Sequence, residues 1–163
     1  MRDAEVEADR GIFAVETAAE EAKRIDGEVL PLDLLPSSKD ASGIVRRFPI
    51  GPIAAISPFN FPLNLALHKL APAIAAGNSI VLKVPSSTPL TMLKIATLLD
   101  GLGLPDGAVS ILPVNREVGD KLVEDDRFKL LSFTGSPDVG WSMKARAGMK
   151  KVVYSNSAVT PAF

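Results

Sequence analysis

The chain has no cysteine among its 163 residues. That excludes disulfides, thiolate metal sites and any cysteine nucleophile supplied by this chain. A single histidine, His68, is too few for a histidine metal cluster, so no metal site is expected. No C-x-x-C, H-E-x-x-H or G-x-S-x-G spacing occurs, and one histidine in a helical pattern builds no Ser-His-Asp set. Neither sign of charge dominates: 18 Lys and Arg stand against 19 Asp and Glu. Nucleic acid and anionic membrane surfaces therefore find no electrostatic footprint. The longest apolar run, around residues 70–76, is far too short to cross a bilayer. Residues 1–27 are rich in acids and lack the apolar centre of a secretion signal. A cytoplasmic protein is the expectation.

What remains is a chain of ordinary globular composition, long enough to bury a core as one domain, residues 1–163. Residues 3–26 read as a helix, with Ala14, Ala18, Ala22 and Ile25 recurring at spacings of four and three and Gly27 as its stop. The prolines and serines of residues 31–43 predict a loop, placing a linker over residues 28–50. From residue 51 to 154 short apolar runs alternate with helical patterns. The runs are Ile53–Ile56, Ile80–Lys83, Val109–Leu112, Leu130–Phe133 and Val152–Tyr154. Helices are predicted near 63–76, 89–99, 116–124 and 138–147. Continuously apolar strands argue for a parallel sheet covered on both faces. Strand–helix alternation at this pitch predicts an α/β, Rossmann-like doubly wound fold of five strands. In such folds ligands bind beyond the carboxyl ends of the strands.

Polar loops follow those ends. SPFNFPLN, residues 57–64, follows the first strand and pins Asn60 between two Pro-Phe pairs. Asn60 either caps the next helix or holds an amide donor towards a developing oxyanion, which rigid flanks would preorganise. LKVPSSTPL follows the second strand, where Lys83 is a solvated end charge or a ligand for ribose and phosphate. FTGS, residues 133–136, ends the fourth strand. Gly135 permits a sharp turn there, and Ser136 stands at a helix start suited to phosphate.

Taken in order over residues 51–140, GPIAAISPFNFPLNLALHKLAPAIAAGNSIVLKVPSSTPL and GLPDGAVSILPVNREVGDKLVEDDRFKLLSFTGSPDVG closely resemble the aldehyde dehydrogenase superfamily. The shared motifs are its P-[WF]-N-[FY]-P, V-L-K-P and F-T-G-S segments. The LP-x-x-REVGD pattern leans towards the lactaldehyde and glyceraldehyde branch. The resemblance implies oxidation of an aldehyde to an acid with NAD or NADP, in a homo-oligomer. It implies that Asn60 is the oxyanion-hole amide, and that Ile56, Ser57, Pro58 and Phe59 line the dinucleotide. Lys83 and Ser86 would face the adenine ribose, Gly135 and Ser136 the pyrophosphate, and Val139 the adenine.

Departures from the family pattern carry expectations of their own. Position 86 is serine where many NAD-preferring relatives carry glutamate, which removes a charge that repels NADP. Residues 113–116 read PVNR where many relatives have a glycine-containing turn. Aligned without gaps, Ser155 stands where relatives carry the glutamate that activates water; with a short deletion, SNSA at 155–158 matches the residues just after it, and the acid is missing either way. The family's nucleophilic cysteine lies in a later domain that this chain does not include. The chain alone is therefore expected to be catalytically incompetent, a truncated cofactor domain that binds dinucleotide or serves as an interaction module. Uncovered sheet edges would favour self-association.

Overall fold

The computed structural model describes residues 2–156 of the chain. Helix α1 runs Arg2–Ala22 and packs along a later helix, α2, Asn64–Ala75. It ends one turn before the expected stop. Glu20–Lys23 and Glu21–Arg24 ion pairs close its last turn, at 2.8 and 2.7 Å, and Ile25 beyond them is exposed. Gly27 serves another purpose: a Cβ there would collide with the Val45 carbonyl, so two backbones pass in contact.

The segment expected to be plain linker carries structure. Strands β1, Glu28–Pro31, and β2, Ser42–Val45, pair antiparallel as a two-stranded ribbon, with one 3-10 turn at Pro36–Ser38 between them. Proline and serine masked it in the sequence, because Pro31 sits at the very end of its strand, opposite Ser42. Val29, Leu34, Ile44 and Phe48, on or beside the ribbon, are largely exposed.

The main sheet contains β3 (Ile53–Ile56), β4 (Ile80–Lys83), β5 (Val109–Leu112), β6 (Leu130–Gly135) and β7 (Lys151–Asn156). All four pairings are parallel, in the spatial order β5-β4-β3-β6-β7. Helices α2, α3 (Leu90–Asp100), α4 (Arg116–Glu124) and α5 (Pro137–Arg146) form the crossovers. The five apolar runs thus become five strands, and the sheet is doubly wound as expected.

Burial on both faces explains their unbroken apolar character. Ile53 and Ala55 point to one core, with Leu67, Leu70, Leu82 and Met92. Ala54 and Ile56 point to the other, with Val123, Leu131, Phe133 and Met143. Alanines at 54 and 55 are completely buried and let helices lie close on either side of the central strand. Winding starts at β3, proceeds to β4 and β5, then returns to place β6 on the opposite side of β3. In sheets of this kind a crevice is expected where the winding reverses, here between the loops that follow β3 and β6.

Candidate functional site

Strands β3 and β4 end level there, and β6 runs two residues further. Ile56 pairs with Lys83 on one side and with Phe133 on the other. The Ser57 N–H donates to the Lys83 carbonyl at 3.1 Å, and the Val84 N–H to the Leu112 carbonyl at 3.1 Å. The loops carrying Asn60, Lys83 with Ser86, and Gly135 with Ser136 therefore leave one edge of one sheet.

Along the first loop, Ile56 and Ser57 are buried, Pro58 and Asn60 are half-buried, and Phe59 is exposed. The Ser57 hydroxyl and the Asn60 side-chain carbonyl are both shielded from solvent without a hydrogen-bond partner among the described residues. A buried polar atom left unpaired is costly. Two of them lie at this one strand tip. Asn60 does not cap α2, whose N-cap is Leu63, with no side-chain cap bond. That role falls to Glu7 of α1: its carboxylate accepts from the Leu63 and Asn64 N–H groups at 2.8 and 3.1 Å. An acid from 57 residues upstream thus ties down the helix start directly behind Asn60.

Lys83 turns towards α4. Its stem lies against Gly119, where a Cβ would stand 3.2 Å from Cε. Its ammonium donates to the Val84 carbonyl at 3.4 Å, and partial burial pushes its pKa down. Ser86 and Ser87 are exposed beyond it, and the Thr88 hydroxyl is another buried atom without a partner. At the end of β6, a Cβ on Gly135 would run into the Phe133 ring. That ring stacks on Tyr154 with centroids 5.8 Å apart, and the Tyr154 hydroxyl donates to the Gly135 carbonyl at 3.1 Å. Ser136 is the exposed N-cap of α5, and its hydroxyl makes no cap bond. Val139 is half-buried and packs in part against the second core. His68 and Trp141 are exposed and take no part, while Phe128 belongs to the core.

Sequence reasoning passed over Lys69. It lies on α2 among Ala66, Leu70 and Ala73, the stripe that faces the first core. Its ammonium donates to Thr134 Oγ1 at 2.7 Å and to Ser132 Oγ at 3.2 Å, both on β6. No carboxylate pairs with it among the described residues, and burial lowers its pKa to about 8. A lone lysine on an otherwise apolar helical stripe was the available signal.

An apolar cavity lies elsewhere. About 890 Å³ between α1, α2 and α3 is lined by apolar side chains such as Ile12, Leu67, Leu98 and Leu102. It offers no donors for a phosphate, so the strand-tip crevice remains the candidate site.

The sequence profile of the aldehyde dehydrogenase family matches residues 1–162. The chain belongs to this family. Among curated aldehyde dehydrogenases, the 3-sulfolactaldehyde dehydrogenase of Priestia aryabhattai is 42% identical over 153 residues, which are 93% of this chain and 32% of that protein. Two solved structures are similar as well. Aldehyde dehydrogenase 21 from Physcomitrella patens, in complex with the reaction product succinate, is 54% identical, with a TM-score of 0.91. The match covers 95% of this chain and 32% of that one. Glyceraldehyde-3-phosphate dehydrogenase from Methanocaldococcus jannaschii, complexed with NADP, is 39% identical with a TM-score of 0.87, over 97% of this chain and 34% of its own. The chain thus spans about a third of the length of the aldehyde dehydrogenases it matches. No helix among the described residues is long and apolar enough to cross a membrane.

Proposed function

We propose that the chain is the dinucleotide-binding part of an NAD(P)-dependent aldehyde dehydrogenase, in which Asn60 serves the oxyanion of the substrate. The observation that carries this reading is the convergence of the β3, β4 and β6 tips on one crevice, with orphaned polar atoms at Ser57 and Asn60. The residues present fit a dinucleotide. Gly119 leaves room for the Lys83 stem, and the exposed Ser86 adds a donor without a charge. At the far side, Ser136 heads a helix N-terminus whose free N–H groups favour phosphate oxygens. When bound, the dinucleotide supplies the oxidant. The chain's own contribution is to hold it and to present the Asn60 amide, whose N–H stabilises negative charge growing on the aldehyde oxygen.

Ile56, Ser57, Pro58 and Phe59 would border the nicotinamide half, while Lys83, Ser86 and Val139 border the adenosine. With Ser86 in place of an acid, the crevice takes NADP as well as NAD. In the absence of any cysteine, this chain by itself forms no covalent acyl intermediate. Ser155 cannot replace a carboxylate as base at neutral pH. The isolated chain is then a dinucleotide-binding module without turnover. Exposed apolar side chains on the β1–β2 ribbon and along α1 favour self-association into an oligomer.

Calorimetric titration with NAD and NADP tests the reading. Binding of both, abolished by Lys83→Ala, is expected. Absence of binding would reduce the chain to a structural module, and an aldehyde-dependent rise in NADH absorbance would refute the lack of turnover.

A further inference from the structure

Lys69 carries a buried positive charge that the dinucleotide reading does not use. The residue is 7% exposed, and both partners of its ammonium, Ser132 and Thr134, are neutral hydroxyls. No carboxylate pairs with it among the described residues. A hydroxyl that accepts from an ammonium still has its own proton to give, so each of these adds a donor beside the charge. The register of the sheet extends the set. Ile56 pairs with Phe133, so the next residues, Ser57 and Thr134, stand side by side at the tips of β3 and β6. Thr134 pairs in turn with Ser155 of β7. Side chains alternate along a strand, which puts Ser57 on the face of Ala55, the face that α2 covers. Ser57 is still tied to the sheet through its N–H, and its hydroxyl is orphaned although the residue is only 4% exposed. Three hydroxyls thus form one row across three neighbouring strands, with the ammonium against the middle one. Ser57 and Thr134 are buried and Ser155 is exposed, so the row opens to solvent at its β7 end.

We propose that this row is a binding site for a small carboxylate ion, of the size of formate or acetate, with Lys69 as its counter-charge. The inference does not depend on the dinucleotide reading. A cation taken out of water without an opposite charge is unfavourable, and a bound anion offsets that cost. Neighbouring strands lie about 4.8 Å apart, so the donors are spread over two strand spacings. A carboxylate suits such a spread better than a single-atom halide, because its two oxygens accept at about four positions. One oxygen can take the ammonium while the other takes the orphaned Ser57 hydroxyl. The cover of α2 over Ser57 and Thr134 restricts the site to a short acid entering past Ser155.

The test is thermal unfolding of the whole chain at pH 7 in sodium formate, with ionic strength held constant. At formate tenfold above its Kd the midpoint should stand about 3–6 °C higher, and the rise should saturate. Acetate should act like formate, and chloride should give less than half of the shift. In Lys69→Met the site has no charge, and formate should move the midpoint by less than about 1 °C. Ser155→Glu, which sets a carboxylate at the open end of the row, should remove the response equally by filling the site from within. A shift of the same size in the parent chain and in Lys69→Met would be a general salt effect and would overturn the site, as would no shift in the parent chain. Chloride matching formate would overturn the carboxylate as its ligand. If Lys69→Met does not fold, Ser155→Glu decides alone, and an undiminished formate response there overturns the proposal.

Discussion

The Lys69 ammonium lies 2.7 Å from the Thr134 hydroxyl, joining the middle of α2 to the end of β6 through an apolar layer. It is a buried cation served only by hydroxyls. Depression of its pKa from 10.5 to about 8 corresponds to about 3 kcal/mol of unfavourable burial below pH 8. As pH rises through 8 the folded chain sheds this proton, while the unfolded chain keeps it until about 10.5. Stability should therefore increase between these values and level off above them. Lys69→Met should stabilise the chain by about 1–2 kcal/mol at pH 7 and abolish that rise. Urea unfolding at several pH values checks both. A less stable Met variant at pH 7 would mean that the two hydroxyl bonds outweigh desolvation.

Ser155 pairs with Thr134 in the parallel register of β6 and β7. Paired residues in a sheet point to the same face, so Ser155 shares the α2 side with Thr134, whose hydroxyl accepts from the Lys69 ammonium. A glutamate at this position would give that cation the carboxylate it lacks. Ser155→Glu should raise the Lys69 pKa back towards 10. Combined with Lys69→Met in a double-mutant cycle, it should show a favourable coupling of about 1 kcal/mol or more. A flat cycle would place the new carboxylate out of reach of Lys69.

These two positions show where sequence pattern stops being informative. The five strands were legible because burial on both faces demands unbroken apolar runs, and the α4 range Arg116–Glu124 agrees residue for residue. Asn60, Lys83 and Ser136 could be placed at strand ends because strand ends follow from the strands. Lys69 was hidden on a helical stripe with Ala66, Leu70 and Ala73; its meaning depends on β6, more than sixty residues away. The β1–β2 ribbon was hidden by its own turn chemistry. The cap of α2 was hidden most completely, since local rules seek it at residue 63 and it comes from residue 7.

Glu7 carries a consequence of its own. With no capping side chain at Leu63, the first N–H groups of α2 depend on the Glu7 carboxylate. Glu7→Ala should cost about 1–2 kcal/mol, and Glu7→Gln, which keeps an acceptor without the charge, about half of that. Because α2 begins four residues after Asn60, Glu7→Ala should also speed amide hydrogen exchange across residues 60–66. Exchange rates unchanged there would assign the anchoring of the loop to its two prolines.

Gly119 separates stability from binding in a single substitution. Alanine is the better helix former, and in the middle of α4 the change is worth about 0.5–1 kcal/mol of stability. Yet the added Cβ would lie 3.2 Å from Lys83 Cε and 3.4 Å from Cδ, closer than relaxed contact allows. The lysine stem is flexible at that end, so it should swing aside rather than unseat the helix. Gly119→Ala should then melt at the same temperature as the parent chain or slightly higher, and bind dinucleotide several-fold more weakly, about 1 kcal/mol in binding free energy. A destabilised variant would show instead that the helix gives way, and unchanged affinity would show that the displaced ammonium was not contributing.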